Sequence, residues 1–183
     1  MASAFTHFIV AGALALPATE PERLRRVMPR WLILVSCGLF GVFPDFDGFV
    51  MRIFDIPYRS FFGHRGFYHS PFFLTIFAAA IAALVVRRER GTFLGLTALW
   101  AGAAITHPLF DMLTDGGGGV MVLFPFSNER LFFPWRPIHV SPMDISRFAD
   151  VAGYVLLSEL PFCVAAIGCG IAAWMLARYQ HRT

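Results

Sequence analysis

Histidine and aspartate side chains occur in short polar stretches that interrupt an otherwise apolar chain. The stretches are "FPDFDG" (43–48), "FGHRGFYHS" (62–70) and "THPLFD" (106–111). His107 and Asp111 are four residues apart, so on a helix they share one face and can bind one ion together. Mixed imidazole and carboxylate sites suit zinc, manganese and iron. The pattern therefore predicts a metal site.

The candidate ligands outnumber those that one tetrahedral ion requires. A catalytic zinc ion takes three protein ligands and a water molecule, whereas two metal ions that share a carboxylate fit a larger set. We therefore expect two divalent ions, zinc first, with manganese or iron as alternatives. The predicted metal ligands are His7, Asp45, Asp47, His64, His69, His107 and Asp111.

The two histidines of "FGHRGFYHS" need a bend in the chain to bind together. His64 and His69 are five residues apart, so they cannot lie on one face of a straight helix. Ser70 followed by Pro71 is typical of a helix N-cap and a first-turn proline. This predicts a helix that begins at Pro71, with both histidines in the loop before it.

Two of the predicted ligands and one neighbouring arginine are candidates for the chemistry itself. Asp45 and Asp47 lie in a turn that begins with proline and ends with glycine. Both carboxylates can point inward, or one can be a ligand and the other its hydrogen-bonded partner, and either can act as general base. Arg65 can offer its planar guanidinium to a phosphate or carboxylate. Its alternative is an interfacial arginine that snorkels to lipid headgroups. Thr114 and glycines 116–119 could let backbone amides approach an anion, but a flexible loop is the favoured interpretation.

The composition indicates a membrane protein. Of the 183 residues 57% are hydrophobic and only 15% are charged, whereas about a quarter is charged in a typical soluble domain. All of the positive side chains are arginines, and a net charge of +3 is too small to indicate a nucleic-acid partner. We expect one all-α integral membrane domain over residues 1–183, in contact with a lipid bilayer. Its oligomeric state is left open.

Five apolar segments predict a bundle of about five membrane helices, with four as the alternative. A membrane-crossing helix needs roughly 17–25 mostly apolar residues. Segments 66–86, 92–110 and 151–177 are long enough, whereas segments 5–16 and 31–43 are shorter.

The distribution of arginines predicts an orientation. With five spans, nine arginines lie on one side of the membrane and six on the other, and the richer side is expected to be cytoplasmic. The four ligand-bearing segments then meet at the extracytoplasmic face. Because the ligands fall at helix ends, we expect an open site at that surface. His139 and His181 are interpreted as solvated, and Trp135 with Arg136 as an interfacial belt or a lid.

The polar stretches also carry a family resemblance. "GVFPDFDG", "FGHRGFYHS" and "ITHPLFDMLTDGG" resemble motifs of the bacterial membrane-bound metal-dependent hydrolases, the YdjM-like family. The resemblance covers roughly residues 4–148, with Tyr68 at a position where many members have threonine. That family is distantly similar to zinc-dependent phospholipase C and to fungal single-strand nucleases. On that analogy His107 and Asp111 match a His-x-x-x-Asp helix motif, and the other implied ligands are His7, Asp45, His64 and His69.

The resemblance implies a hydrolase of the bacterial inner membrane. The position of the site at the bilayer edge predicts a lipid or lipid-linked substrate with a phosphoester or ester bond, attacked by water that two metal ions activate. The predicted catalytic residues are Asp45, Asp47 and Arg65. The alternative is a non-catalytic metal-binding membrane protein, either a metal-ion transporter or a regulatory scaffold. A transporter would hold its ligands near the bilayer midplane, whereas here they fall at helix ends.

Overall fold

The computed structural model describes residues 1–86 and 89–180, which form helices joined by loops. These ranges contain no strand, and their β-type backbone pairing is limited to two isolated bridges. The all-α class is therefore confirmed. The α-helices in these ranges are α1 (Ala4–Leu14), α2 (Glu22–Arg25), α3 (Arg30–Val42), α4 (Asp47–Phe54), α5 (Pro71–Val85), α6 (Arg90–Met112) and α7 (Ile145–Gln180).

Three helical stretches are long and apolar enough to cross a membrane. They are Arg30–Phe54, Arg90–Met112 and Ser146–Gln180. The apolar helices α1 and α5 are shorter, with 11 and 15 residues. Each of the five predicted segments thus contains a helix, but two of the predicted lengths are wrong.

Segment 66–86 is the first of these corrections. Its helix begins only at Pro71, because residues Phe67–His69 form a short 3-10 turn and Ser70 is the N-cap. The Ser70 hydroxyl accepts a hydrogen bond from the backbone N–H of Phe73 at 3.2 Å. The predicted cap is confirmed, and the helix that follows is shorter than a membrane crossing needs.

Segment 31–43 is the second correction, because the helical stretch does not end there but continues through the expected turn. Residues Phe43–Phe46 form a 3-10 turn that joins α3 directly to α4. Pro44 is compatible with this because it lies in the first turn, where its missing N–H has no helical partner to lose. The continuous helical stretch is 25 residues long.

The packing of α1 brings the N-terminal histidine to the end of α3. Helix α1 lies against both α3 and α7, while α6 lies against α3 and α5. Gly41 allows the close approach, because a Cβ atom there would lie 2.5 Å from the Cβ of Ala11 and 2.6 Å from the carbonyl oxygen of His7. Any larger residue would separate the two helices.

The segment between α6 and α7 has no regular helix and returns over the histidine loop. The Arg130 guanidinium donates hydrogen bonds to the carbonyl oxygens of His64 and Ser60, both at 2.8 Å. Met121 N–H donates to the carbonyl of Arg65 at 3.0 Å. The segment therefore fixes the backbone on which two predicted ligands lie.

The predictions for His139, Trp135 and the membrane orientation have different outcomes. His139 is not simply solvated, because its Nδ1 lies 2.7 Å from Asp115 Oδ2 and its ring stacks on Tyr154 at 3.8 Å. The side chain of Trp135 is 66% exposed, and its role as belt or lid stays a prediction. The membrane orientation also stays a prediction. His181 and three of the arginines that carry it, Arg87, Arg88 and Arg182, lie outside the described residues.

Candidate metal centre

The seven predicted ligands form one continuous buried cluster. Each is within 4 Å of another member through an imidazole nitrogen and a carboxylate oxygen. Six of them are buried, and Asp45 is only slightly exposed. The cluster is assembled from α1 (His7), the 3-10 turn after α3 (Asp45), the start of α4 (Asp47), the loop before α5 (His64, His69) and the end of α6 (His107, Asp111).

Four of these residues form the group best suited to an ion. Asp45, His69, His107 and Asp111 each offer a ligand atom, and all four atoms lie within 4.8 Å of one another. His107 Nε2 lies 3.3 Å from Asp45 Oδ1, and His69 Nε2 lies 3.8 Å from Asp111 Oδ2. Tetrahedral ligands at zinc bond lengths are roughly 3.4 Å apart. The donor spacing is therefore close to that of a metal site.

The same atoms make no hydrogen bond in the part of the chain that the structure describes, although Asp111 Oδ2 is ion-paired with Arg65. His69 Nε2, His107 Nε2, Asp111 Oδ2 and both Asp45 oxygens are buried without a hydrogen bond. Leaving a buried polar atom unpaired costs roughly 1–3 kcal/mol, and two neighbouring carboxylates repel each other in addition. A divalent cation would satisfy all of these atoms. The residues therefore fit a metal ion, without selecting which one.

Contacts at the opposite ring nitrogens orient both imidazoles. His107 Nδ1 lies 2.8 Å from the carbonyl oxygen of Gly41, which can only accept, so Nδ1 carries a proton and the neutral ring has its lone pair on Nε2. His69 Nδ1 lies 3.2 Å from Asp47 Oδ2. Burial lowers the pKa of His69, although the Asp47 carboxylate opposes the shift. The neutral form that binds metals is therefore favoured.

Asp47 lies behind the group of four and contacts two histidines. Its Oδ1 lies 2.9 Å from His64 Nδ1, and its Oδ2 accepts the N–H of Arg65 at 3.2 Å. Asp47, His64 and His69 form a second possible metal group. However, a neutral imidazole has only one lone pair, so neutral His69 cannot bind an ion in each group at once. The geometry favours Asp47 as the carboxylate that orients the histidines, one of the two roles considered for it.

His7 lies at the edge of the group of four. Its ring stacks on His107, with 3.6 Å between centroids and 15° between planes, and its Nε2 lies 3.6 Å from Asp111 Oδ1. Neither of its nitrogens has a hydrogen-bond partner within residues 1–86 and 89–180. It can therefore join the site as an additional ligand beside Asp111.

Arg65 is fully buried, so the snorkelling alternative is wrong. Its Nε lies 2.9 Å from Asp111 Oδ2 as an ion pair without hydrogen-bond alignment. Its other two nitrogens donate to Gly116 O and Thr114 Oγ1, both at 2.9 Å. All three nitrogens thus have protein partners, and the guanidinium offsets the charge of a ligand carboxylate. Phosphate binding by Arg65 stays a prediction that would require these contacts to open.

One glycine of the stretch after α6 lies directly against this arginine. Gly117 has φ +95°, and a Cβ atom there would lie 2.5 Å from an Arg65 terminal nitrogen. The close approach and the positive φ both require glycine at this position, and the flexibility of the loop stays a prediction.

The expected open site is also wrong, because the ligand atoms are enclosed. A cavity of about 470 Å³ lies beside the cluster, and His64 and Met1 form part of its wall. Access to the ligands from this side therefore passes these two residues.

Comparison with known proteins identifies the family of the chain. The sequence profile of the YdjM inner membrane protein family matches residues 1–182. The chain belongs to this family. It is 36% identical over 140 residues to inner membrane protein YbcI of Escherichia coli (strain K12), an alignment that covers 74% of this chain and 78% of that protein. No solved structure matches the chain.

This YdjM-family chain also has a buried carboxylate that sequence reasoning missed. Glu159 on α7 accepts hydrogen bonds from the N–H and the hydroxyl of Ser3, both at 2.5 Å, and from the Thr6 hydroxyl at 2.8 Å. The next amide, Ala2 N–H, donates to Asp111 Oδ1 at 2.8 Å. The available signal was an acidic residue inside the apolar segment 151–177. Glu159 therefore anchors the chain segment that contacts a metal-ligand carboxylate.

Proposed function

We propose that this chain is a metal-dependent hydrolase of the bacterial inner membrane. Its proposed substrate is a lipid or lipid-linked molecule with a phosphoester or ester bond. The location is supported by the family, by the name of the E. coli relative and by three apolar helices of membrane-crossing length. The observation that carries the proposal is the convergence of five buried ligand atoms without a hydrogen bond from Asp45, His69, His107 and Asp111.

These four residues would hold the ion, and their neighbours set its surroundings. A bound divalent ion would lower the pKa of a water molecule and polarise an ester or phosphoryl oxygen. Arg65 offsets the charge of Asp111. Asp45 is the less buried of the two carboxylates in the group, so it is the better placed to exchange a proton with a substrate.

The number of ions follows from how His69 is used. We infer one ion in the group of four, because His69 presents Nε2 to that group and Nδ1 to Asp47. The two-ion alternative places the second ion among Asp47, His64 and His69. Metal content of one equivalent per chain would support the first arrangement, and two equivalents would support the second.

A non-catalytic metal-binding protein is the second candidate. It is favoured by the burial of the donor atoms, since structural metal sites are closed whereas catalytic sites keep an open position. The cavity beside His64 favours the hydrolase, because it offers a substrate a place next to the cluster.

Turnover and metal content measured together test the proposal. The detergent-purified chain would be assayed on short-chain phospholipids, phosphodiesters and carboxylic esters, with and without a chelator. We expect chelator-sensitive hydrolysis that His107→Ala abolishes together with bound metal. His139→Ala is the matched control, because His139 pairs with Asp115 outside the cluster, and it should keep both. Stoichiometric metal without chelator-sensitive turnover on the panel would favour the non-catalytic protein.

A further inference from the structure

The cavity of about 470 Å³ beside the ligand cluster has a mixed wall. Val140, Met143 and Val151 line it with apolar surface, and Arg147 supplies a cationic group. Within the described ranges, no aspartate or glutamate side chain lines it. Its volume falls in the range of pockets that hold small ligands. The wall therefore suits an anion that carries an apolar chain.

The inner end of this cavity is one residue away from the metal ligands on two sides. His64 lines it and contacts Asp47, whose other oxygen contacts the ligand His69. Met1 lines it as well, and the adjacent amide of Ala2 donates to Asp111. A molecule in the cavity is thus separated from the metal ligands by His64 on one side and by Met1 on the other.

His64 in the cavity wall has a buried polar atom without a hydrogen-bond partner. His64 is fully buried, and its Nδ1 is used by Asp47, but its Nε2 has no hydrogen-bond partner among the described residues. An unpaired buried nitrogen is costly unless a ligand or solvent satisfies it. A polar ligand in the cavity would provide that contact.

The position of Arg147 along α7 fits the headgroup layer of a bilayer. Helix α7 has 36 residues, which is about 54 Å at 1.5 Å per residue, whereas the hydrocarbon core is about 30 Å thick. Its apolar part begins at Val151, so the charged first turns extend beyond the hydrocarbon. Arg147 is exposed there, and the acidic side chain on which its charge acts is that of Asp144, three residues before it.

We propose that this cavity binds the phosphate headgroup of an anionic phospholipid. Arg147 pairs with the phosphate, while Val140, Met143 and Val151 contact the first carbons of the acyl chains. The proposal rests on the proposed function, since the phosphoester bond would then face His64 and the metal ligands. The shared chemistry is a phosphate group, whether it belongs to a lipid or to a free anion.

Calorimetric titration of the full chain in a neutral detergent tests this proposal. Three probes are compared: dihexanoyl phosphatidic acid, dihexanoyl phosphatidylcholine and inorganic phosphate. We expect the first to bind most tightly, because only it combines an uncompensated phosphate with apolar chains. Because Arg147→Gln removes hydrogen bonds between charged groups, it should weaken binding at least about tenfold. Arg147→Lys should recover part of the loss. Arg52→Gln, at an exposed arginine outside the cavity wall, should bind like the wild type.

Three outcomes would overturn the proposal. Equal affinity of wild type and Arg147→Gln would show that the arginine does not recognise the phosphate. Equal affinity for inorganic phosphate would show an anion site rather than a lipid site, and equal affinity for phosphatidylcholine would show no selection for negative charge.

The titrations are repeated with a chelator, so that binding is measured without turnover. Binding that survives where hydrolysis is absent would reject the hydrolase alone, and hydrolysis unchanged by Arg147→Gln would reject the cavity alone.

Discussion

Replacing Asp47 by asparagine separates a residue that orients ligands from a residue that binds metal. Asp47 contacts His64 Nδ1 at 2.9 Å, the Arg65 N–H at 3.2 Å and His69 Nδ1 at 3.2 Å. All three contacts require an acceptor at the carboxylate. Asparagine keeps the shape but offers only one oxygen, so its NH₂ group would face a ring N–H or the Arg65 amide.

The size of the effect follows from these contacts. Losing one hydrogen bond to a charged group costs about 1.5–3 kcal/mol, which corresponds to roughly ten- to a hundredfold in an equilibrium constant. Loss of a residue that orients a ligand typically weakens metal affinity by a similar factor. We therefore expect Asp47→Asn to bind metal about ten- to a hundredfold more weakly, while His107→Ala loses the site.

Competition with a fluorescent zinc chelator measures these affinities on the detergent-purified chain. Asp150→Asn, at an exposed carboxylate on α7, is the matched control and should behave as wild type. If Asp47→Asn lost all binding as His107→Ala does, Asp47 would be a ligand and a second ion would be favoured. Wild-type affinity in Asp47→Asn would refute its orienting role as well.

Three further predictions concern stability, measured by thermal unfolding of the metal-free chain in detergent. Gly117→Ala should destabilise the fold by about 1–3 kcal/mol because of its positive φ. The control Gly102→Ala, in helical backbone with open space around it, should stabilise the fold by about 0.5–1 kcal/mol. Equal effects of the two substitutions would contradict this prediction. Glu159→Gln should cost about 1–3 kcal/mol because it opposes buried donors, unlike the exposed Glu22→Gln, and a harmless Glu159→Gln would show that the anchor is dispensable. Because burial lowers the pKa of His69, the unfolded chain is protonated first, near pH 6.5. The contribution of neutral His69 to the free energy of unfolding is therefore complete above that pH and falls below it by up to about 1.4 kcal/mol per pH unit. This decline should flatten in His69→Gln, and an unchanged slope would show that His69 does not cause it.

The features that could be predicted from the sequence are those set by neighbouring residues. Ser70 and Pro71 determine the start of α5 by capping chemistry, and this placed His64 and His69 before the helix. The four-residue spacing of His107 and Asp111 placed both on one face of α6. The metal hypothesis needed only these local rules and the rarity of such groups in an apolar chain.

The features that could not be predicted depend on contacts between distant segments. The partners of Arg65 are about fifty residues away along the chain, so its burial could not be derived from its own neighbours. Asp47 has the same residue type as Asp45, and only the fold shows that it faces the outer nitrogens of two histidines. Glu159 lies in an apolar helix, and its hydrogen-bond donors come from the other end of the chain.

Anomalous diffraction at the zinc absorption edge, on crystals of the zinc-loaded chain, tests the central claim most directly. The account predicts one strong peak per chain, about 2.0–2.2 Å from ligand atoms of Asp45, His69, His107 and Asp111. A peak bound elsewhere, or no peak within the cluster at full metal loading, would contradict the assignment of these residues as a metal centre.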